Sequence, residues 1–309
     1  MNKKFLAFFS LLIILVFIGY IVYDTANGKS EMPDAVDDKT GAVPLFPEHW
    51  TQSQELLCND GDLTSVTVSD NGTVYLGGDA FLSCYDENLS KKWTINTGEK
   101  INSLSVYGDT VFGATTDLIR LYSPEGKMID EWGPFGDNGI ITSIASNKSM
   151  VVFSDAGNRL VYVLAKDGRM KSMIGQSGEK FVVPSPYFDV AINNDNTLFI
   201  ANTGHRRIET RSAEGVLTSY FGSPGTAPGA FCGCCNPAHF VIIPQGYVTA
   251  EKGLNRIKIL DQKGEFVEWV SANNDFMASI PLDIASPDGI TIYAANPAES
   301  KLIVFKRKN

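Results

Sequence analysis

Hydrophobic and polar positions follow two regimes along the chain. Near the start, Lys3 and Lys4 precede an uncharged apolar run from Phe5 to Tyr23. Its 19 residues match the length needed to cross a hydrocarbon layer ~30 Å thick. The run has no polar face, and it ends in Ile21-Val22-Tyr23-Asp24 rather than in the small residues of a cleavage site. The pattern predicts a retained signal anchor over residues 1–23, with a cleaved signal as the alternative. Asp24, Glu31, Asp34, Asp37 and Asp38 follow the run. The basic flank therefore belongs in the cytoplasm and the rest of the chain outside, in the periplasm or extracellular space. Residues 24–50, with Pro33, Pro44 and Pro47, read as a flexible tether.

From residue 51 the pattern changes to short apolar strands broken by polar turns. One arrangement recurs six times, over residues 63–95, 101–133, 141–175, 187–222, 238–271 and 282–309. Each copy offers three or four strands in roughly 40–50 residues, the signature of a propeller blade. Asp-Asn-Gly (70–72), Pro-Glu-Gly (124–126), Lys-Asp-Gly (166–168), Ala-Glu-Gly (213–215) and Gln-Lys-Gly (262–264) place glycine where a tight turn needs positive φ. The sixth copy provides three strands, so the segment Thr51–Cys58 is expected to supply the fourth and close the ring. The expected architecture is all-β: a six-bladed β-propeller over 51–309, preceded by one transmembrane helix. A β-sandwich is the competing fold, and six regular copies argue against it. Trp93, Trp132 and Trp269 fall on outer strands and read as packing between blades.

Composition narrows the function. A hydrophobic fraction of 44% excludes intrinsic disorder. A net charge of −9 argues against nucleic acid as a partner. Five cysteines in 309 residues are too few for a disulfide-built scaffold, and three histidines limit any His-rich metal centre. Neither a P-loop nor a Gly-x-Ser-x-Gly elbow occurs.

The candidate chemistry gathers where loops enter the first strand of a blade and where its second and third strands join, because these open on one face. Pro184–Asp189 enters blade four, and Phe231–His239 enters blade five. Candidate ligand-binding residues are Tyr187, Asp189, Asn202, His205, Arg206, Arg207, Glu251, Lys252 and Arg256. The Arg residues suit an anion, although Arg207, by its match to Arg159 and Arg256, reads first as a structural cross-link. Cys232, Cys234, Cys235 and His239 form a candidate site for a soft ion, zinc or copper. An oxidising location favours a disulfide brace in this loop, within itself or to Cys58 or Cys84, and a redox-active or free thiol is the third reading.

Three segments resemble the second-to-third-strand motif of NHL-repeat propellers: IANTGHRRIETRSAEG (200–215), TAEKGLNRIKILDQKG (249–264) and SDAGNRLVYVLAKDG (154–168). YFGSPGTAPGAFCGCCNP (220–237) resembles the glycine-rich segment joining such blades, apart from its cysteines. The resemblance implies a six-bladed ring that binds proteins or other ligands. Similar rings occur in lactonases, a peptide-amidating lyase and strictosidine-synthase-like proteins. A lactonase-like calcium centre would draw on Asp189, Asn202 and Glu251, whereas a lyase-like zinc centre needs more histidines than His49, His205 and His239. The function expected is a membrane-tethered extracytoplasmic module that binds a protein or small molecule at the mouth of blades four and five. The alternative is a metal- or thiol-dependent redox protein, or a hydrolase- or lyase-like enzyme, using the loop of Cys232, Cys234, Cys235 and His239.

Overall fold

A computed structural model describes residues 10, 13–19, 47–176, 180–272, 276, 277 and 280–308. The chain divides into two units, Met1–Val43 and Pro44–Asn309. In the first, residue 10 and residues 13–19 are helical, with exposed side chains over 13–19. The rest of the expected span Phe5–Tyr23, and tether residues 24–46, lie outside the described residues. No helix among the described residues is long and apolar enough to cross a membrane.

The second unit consists of six four-stranded antiparallel sheets. Their innermost strands are β2 (Leu63–Val68), β6 (Ser103–Tyr107), β10 (Ile141–Ser146), β14 (Val190–Ile192), β18 (His239–Ile243) and β22 (Asp283–Ala285). In five sheets the following three strands are consecutive in sequence. The sixth has the order β1-β24-β23-β22: β1 (Trp50–Leu57) lies against β24 (Lys301–Arg307), with Trp50 opposite Arg307 and Leu57 opposite Lys301. The first and last strands of the propeller thus share a sheet, which gives the sixth blade the same four strands as the others.

The strands form where the apolar alternation put them, and their buried residues pack between neighbouring blades. One core joins Val248 and Ile259 of blade five to Ile292 and Ile303 of blade six. Four cross-blade contacts repeat with different side chains. The ring of Trp93 in blade one lies over Gly126 in blade two, and Trp132 lies over Gly168 in blade three. Ile174 meets Gly215, and Phe221 meets Gly264, in the next two steps. These four glycines occupy the turn between third and fourth strands with φ from +80° to +93°. Gly72, grouped with them in the sequence, belongs instead to the turn between first and second strands, β2 and β3 (Val74–Gly78). Trp93 and Trp132 pack between blades as expected, whereas Trp269 stacks beneath the Arg256 guanidinium, 5.3 Å from ring centre.

Candidate functional site

The starts of the inner strands surround a cavity of about 330 Å³ on one face of the ring. Thr64, Asn102, Thr142, Tyr187, His239 and Pro281 line it, each contributed by a different blade. Beneath it a second cavity of about 220 Å³ runs along the axis between all six inner strands. Asp189 and Asp283 line this axial space.

His239 stands where the two cavities meet. Its Nδ1 is 3.4 Å from Asp283 Oδ1 and 3.9 Å from Asp189 Oδ2. The three side chains belong to consecutive blades, six, five and four, at the same step of the inner strand. Asp189 Oδ2 accepts the Phe240 N–H at 2.7 Å, and Asp283 Oδ2 accepts the Val66 N–H at 2.9 Å. Ser143 and Ser103 do the same for Val190 and Ile144. Each of these side chains therefore ties its inner strand to the next, and the two aspartates combine bracing with charge. Burial pushes the Asp283 carboxyl up to about 6 against the pull of His239. Asp189 is raised for the same reason, with the same opposition. An imidazole between two buried carboxylates can relay a proton or hold a cationic group.

Tyr187 closes the wall beside His239, with ring centres 6.5 Å apart in an edge-on arrangement. The Lys252 ammonium lies 4.4 Å above the Tyr187 ring. Tyr187 and His239 therefore line the mouth, with Lys252 against the Tyr187 ring and Asp189 in the axial space beneath.

The other candidates make contacts within blades four and five. Glu209 on β16 (Arg207–Arg211) is fully buried and paired with Arg207 at 2.6 Å and Arg211 at 2.6 Å. Burial would raise its carboxyl, but hydrogen bonds from Asn202, Arg207 and Arg211 outweigh this and hold it below the usual range. Asn202 also donates toward His205 Nδ1 and accepts the Val182 N–H, which fastens the loop into blade four. Arg207 pairs with Glu209 on its own strand and lies over Tyr220 of the same blade, and its match along the chain is different. The left-handed residue before the third strand is Arg159 in blade three, Arg206 in blade four and Asn255 in blade five. Arg159 therefore corresponds to Arg206, while Arg207 corresponds to Arg256. Arg206 donates from Nε to the Gly233 carbonyl of the cysteine loop.

In blade five, Glu251 is fully buried between Arg256 and Lys258, at 3.0 and 2.7 Å. Arg256 and Lys258 also donate to the carbonyls of Thr226, Pro228 and Ala230, pinning that loop. Burial lowers the Lys258 ammonium to about 8, with Glu251 opposing the shift. Glu251 is therefore bound by cations rather than offered to a ligand. Of the three residues considered for a calcium centre, only Asp189 lines the axial cavity.

The cysteine loop does not collect around His239, whose imidazole faces the two aspartates instead. Among the described residues, no group of three or more His, Cys, Asp or Glu side chains is arranged to hold a metal ion. All five cysteines are free. Cys58 and Cys84 sit in separate apolar cores and do not approach the loop. Cys232 Sγ lies 3.6 Å from the Lys252 carbonyl, and Asn236 Nδ2 donates to the Cys232 and Lys252 carbonyls at 2.7 and 2.8 Å. Cys234 is exposed, Cys235 is buried, and their sulfurs are 3.0 Å apart. Burial pushes the Cys235 thiol up, with Lys252 pulling the other way.

Asp283, Glu209, Arg211 and Lys258 were not among the sequence candidates. Asp283 had a signal: Leu-Asp-Ile at 282–284 repeats Phe-Asp-Val at 188–190. Lys258 had none, because Ile-Lys-Ile reads as a strand with one solvent-facing lysine.

No family model matches the chain, and no curated protein matches it in sequence. Solved structures do. A streptogramin B lyase is similar over 84% of this chain and 98% of its own, with TM-score 0.61 and 14% identity. The chain is a six-bladed β-propeller. A virginiamycin B lyase from Staphylococcus aureus is similar over 83% and 99%, with TM-score 0.56 and 17% identity. A protein of unknown function from Bacteroides thetaiotaomicron is similar over 84% and 75%, with TM-score 0.61 and 12% identity. At such identities the likeness of these proteins to the propeller extends to fold alone.

Proposed function

We propose that the protein is a membrane-tethered extracytoplasmic propeller that binds a ligand at the mouth between Tyr187 and His239. The observation that carries this reading is the Asp189–His239–Asp283 cluster at the floor of the 330 Å³ cavity. Apolar walls with a few convergent polar groups are the usual form of a ligand site. The floor holds two carboxylates, so it favours a ligand, or a side chain of a protein partner, that presents a cationic or hydrogen-bond-donating head. Membrane attachment rests on the uncharged run Phe5–Tyr23 between Lys3-Lys4 and the acidic tether.

Binding is tested on the full-length chain with N-acetyl-lysinamide, n-butylamine and, as contrast, acetate. The two amines should perturb the Tyr187 and His239 resonances, and Asp283→Asn should weaken the effect about tenfold or more, in keeping with the loss of a charged partner. A preference for acetate, or no response from the mouth, counts against the reading. Topology is tested in intact cells by external protease, which should remove the propeller and spare an N-terminal tag.

A second reading, an acid–base enzyme, is favoured by the single imidazole flanked by carboxylates. One of the similar structures is a virginiamycin B lyase described with quinupristin. Consumption of quinupristin by this chain, abolished by His239→Ala, would support the enzyme. No consumption leaves binding as the reading.

A further inference from the structure

The Cys-Gly-Cys-Cys turn at the rim of the mouth plays no part in the reading above. Its three sulfurs have different surroundings. Cys232 is buried and occupied, with Asn236 Nδ2 at 3.3 Å from Sγ and the Lys252 carbonyl on its other side. Cys235 is buried, 3% exposed, while its neighbour Cys234 faces solvent. Gly233 turns the chain at φ +65°, with open space where a side chain would stand. The Arg206 guanidinium holds that turn through the Gly233 carbonyl. One accessible thiol and one sheltered thiol thus lie in contact, at 3.0 Å, on a turn anchored to the neighbouring blade.

We propose that Cys234 and Cys235 form a reversible dithiol–disulfide pair that exchanges with disulfide-bearing molecules at the rim of the mouth. The Cys234 thiolate attacks one sulfur of an external disulfide. That S–S bond breaks, a mixed disulfide forms, and the first external thiolate leaves and takes up the proton that Cys234 lost. The Cys235 thiolate then attacks Cys234 Sγ, and the mixed disulfide breaks. A Cys234–Cys235 bond forms, and the second thiolate leaves and takes up the Cys235 proton. The protein pair is oxidised by two electrons and the external disulfide is reduced to two thiols. Run in reverse, an external dithiol reduces the pair.

Adjacency in sequence makes this couple an exchanger rather than a permanent brace. Neighbouring Cα atoms stand about 3.8 Å apart, below the usual span of about 4.4–6.8 Å for a disulfide. Bonds between such neighbours are strained, and strained, exposed disulfides are the labile ones. Cys58 and Cys84 are enclosed elsewhere and offer no competing partner.

The test uses the full-length chain, fully reduced and then exposed to oxidised glutathione. Remaining thiols are alkylated after denaturation, and the peptides are weighed. The free-thiol count should fall from five to three. The peptide holding Cys234 and Cys235 should be two hydrogens lighter and unalkylated, and dithiothreitol should restore it. Cys235→Ser should trap glutathione on Cys234, and Cys234→Ser should take up none. Cys232→Ser should leave the pair intact. Retention of all five thiols, a bond that includes Cys232, or a lasting glutathione adduct on the unaltered chain would overturn the proposal. Should a serine variant fail to fold, the thiol count and peptide mass of the unaltered chain decide alone.

Discussion

Glu251 has two cations within 3.0 Å and no exposure of its side chain. Removing one member of such a buried set strands the others without compensation. Glu251→Gln is therefore expected to cost about 3 kcal/mol of stability, read as a lower urea midpoint, and to loosen the loop through Thr226 and Ala230. Asp283 is a different case. Its folded-state pKa, about 6, stands above the ordinary 3.8. Between those two values the folded chain holds more protons than the unfolded chain, so this group's contribution to stability falls as pH rises through the window. Asp283→Asn lacks that slope. The stability of the variant relative to the unaltered chain should improve between pH 4 and pH 6, and urea midpoints across that range check it. At this scale the sequence was half legible. Asp189 and His239 were visible because they open strands after distinctive loops. The roles of Glu209 and Glu251 depend on which cations fold over them, and Lys258 was hidden by a strand that is buried on both faces.

Blade boundaries were more legible than side-chain roles, because strand alternation repeats in every copy and the turn glycine between third and fourth strands in four of them. The inner strands begin at Leu63, Ser103, Ile141, Val190, His239 and Asp283, each within three residues of the start of its repeat. What the repeat could not show was the partner of each turn glycine. At Gly264 a Cβ would lie 2.2 Å from Phe221 Cδ2, and φ is +83°. Gly264→Ala must therefore both strain the turn and displace the ring between blades four and five. The expected cost is about 2 kcal/mol or more, measured by thermal unfolding. The correspondence of Arg159 to Arg206 was legible in an ungapped alignment of Asp155–Arg159 with Asn202–Arg206, because the turns of blades three, four and five are equally long between paired positions. The left-handed residue before the third strand, rather than the arginine itself, marks equivalent places.

For the whole molecule, the sheet that holds both β1 and β24 decides stability. Deleting residues 50–57 removes the strand opposite β24 and takes Trp50 out of the core it shares with Ile303 and Phe305. The variant is expected to unfold at a clearly lower temperature and to associate through the bared edge of β24, which size-exclusion chromatography would register. An unchanged melting temperature would show that the ring holds without its seam. The same pairing sets an order of events during synthesis. Trp50 is made long before Arg307, its partner across the sheet. Five blades can assemble from local hairpins while the chain is still growing. Closure must wait until β24 has emerged from the ribosome and met a strand made at the outset, which makes the last step the one of highest contact order and the slowest. Until then β1 stands without its partner, and a chaperone that shields it would act at the point where misassembly is easiest.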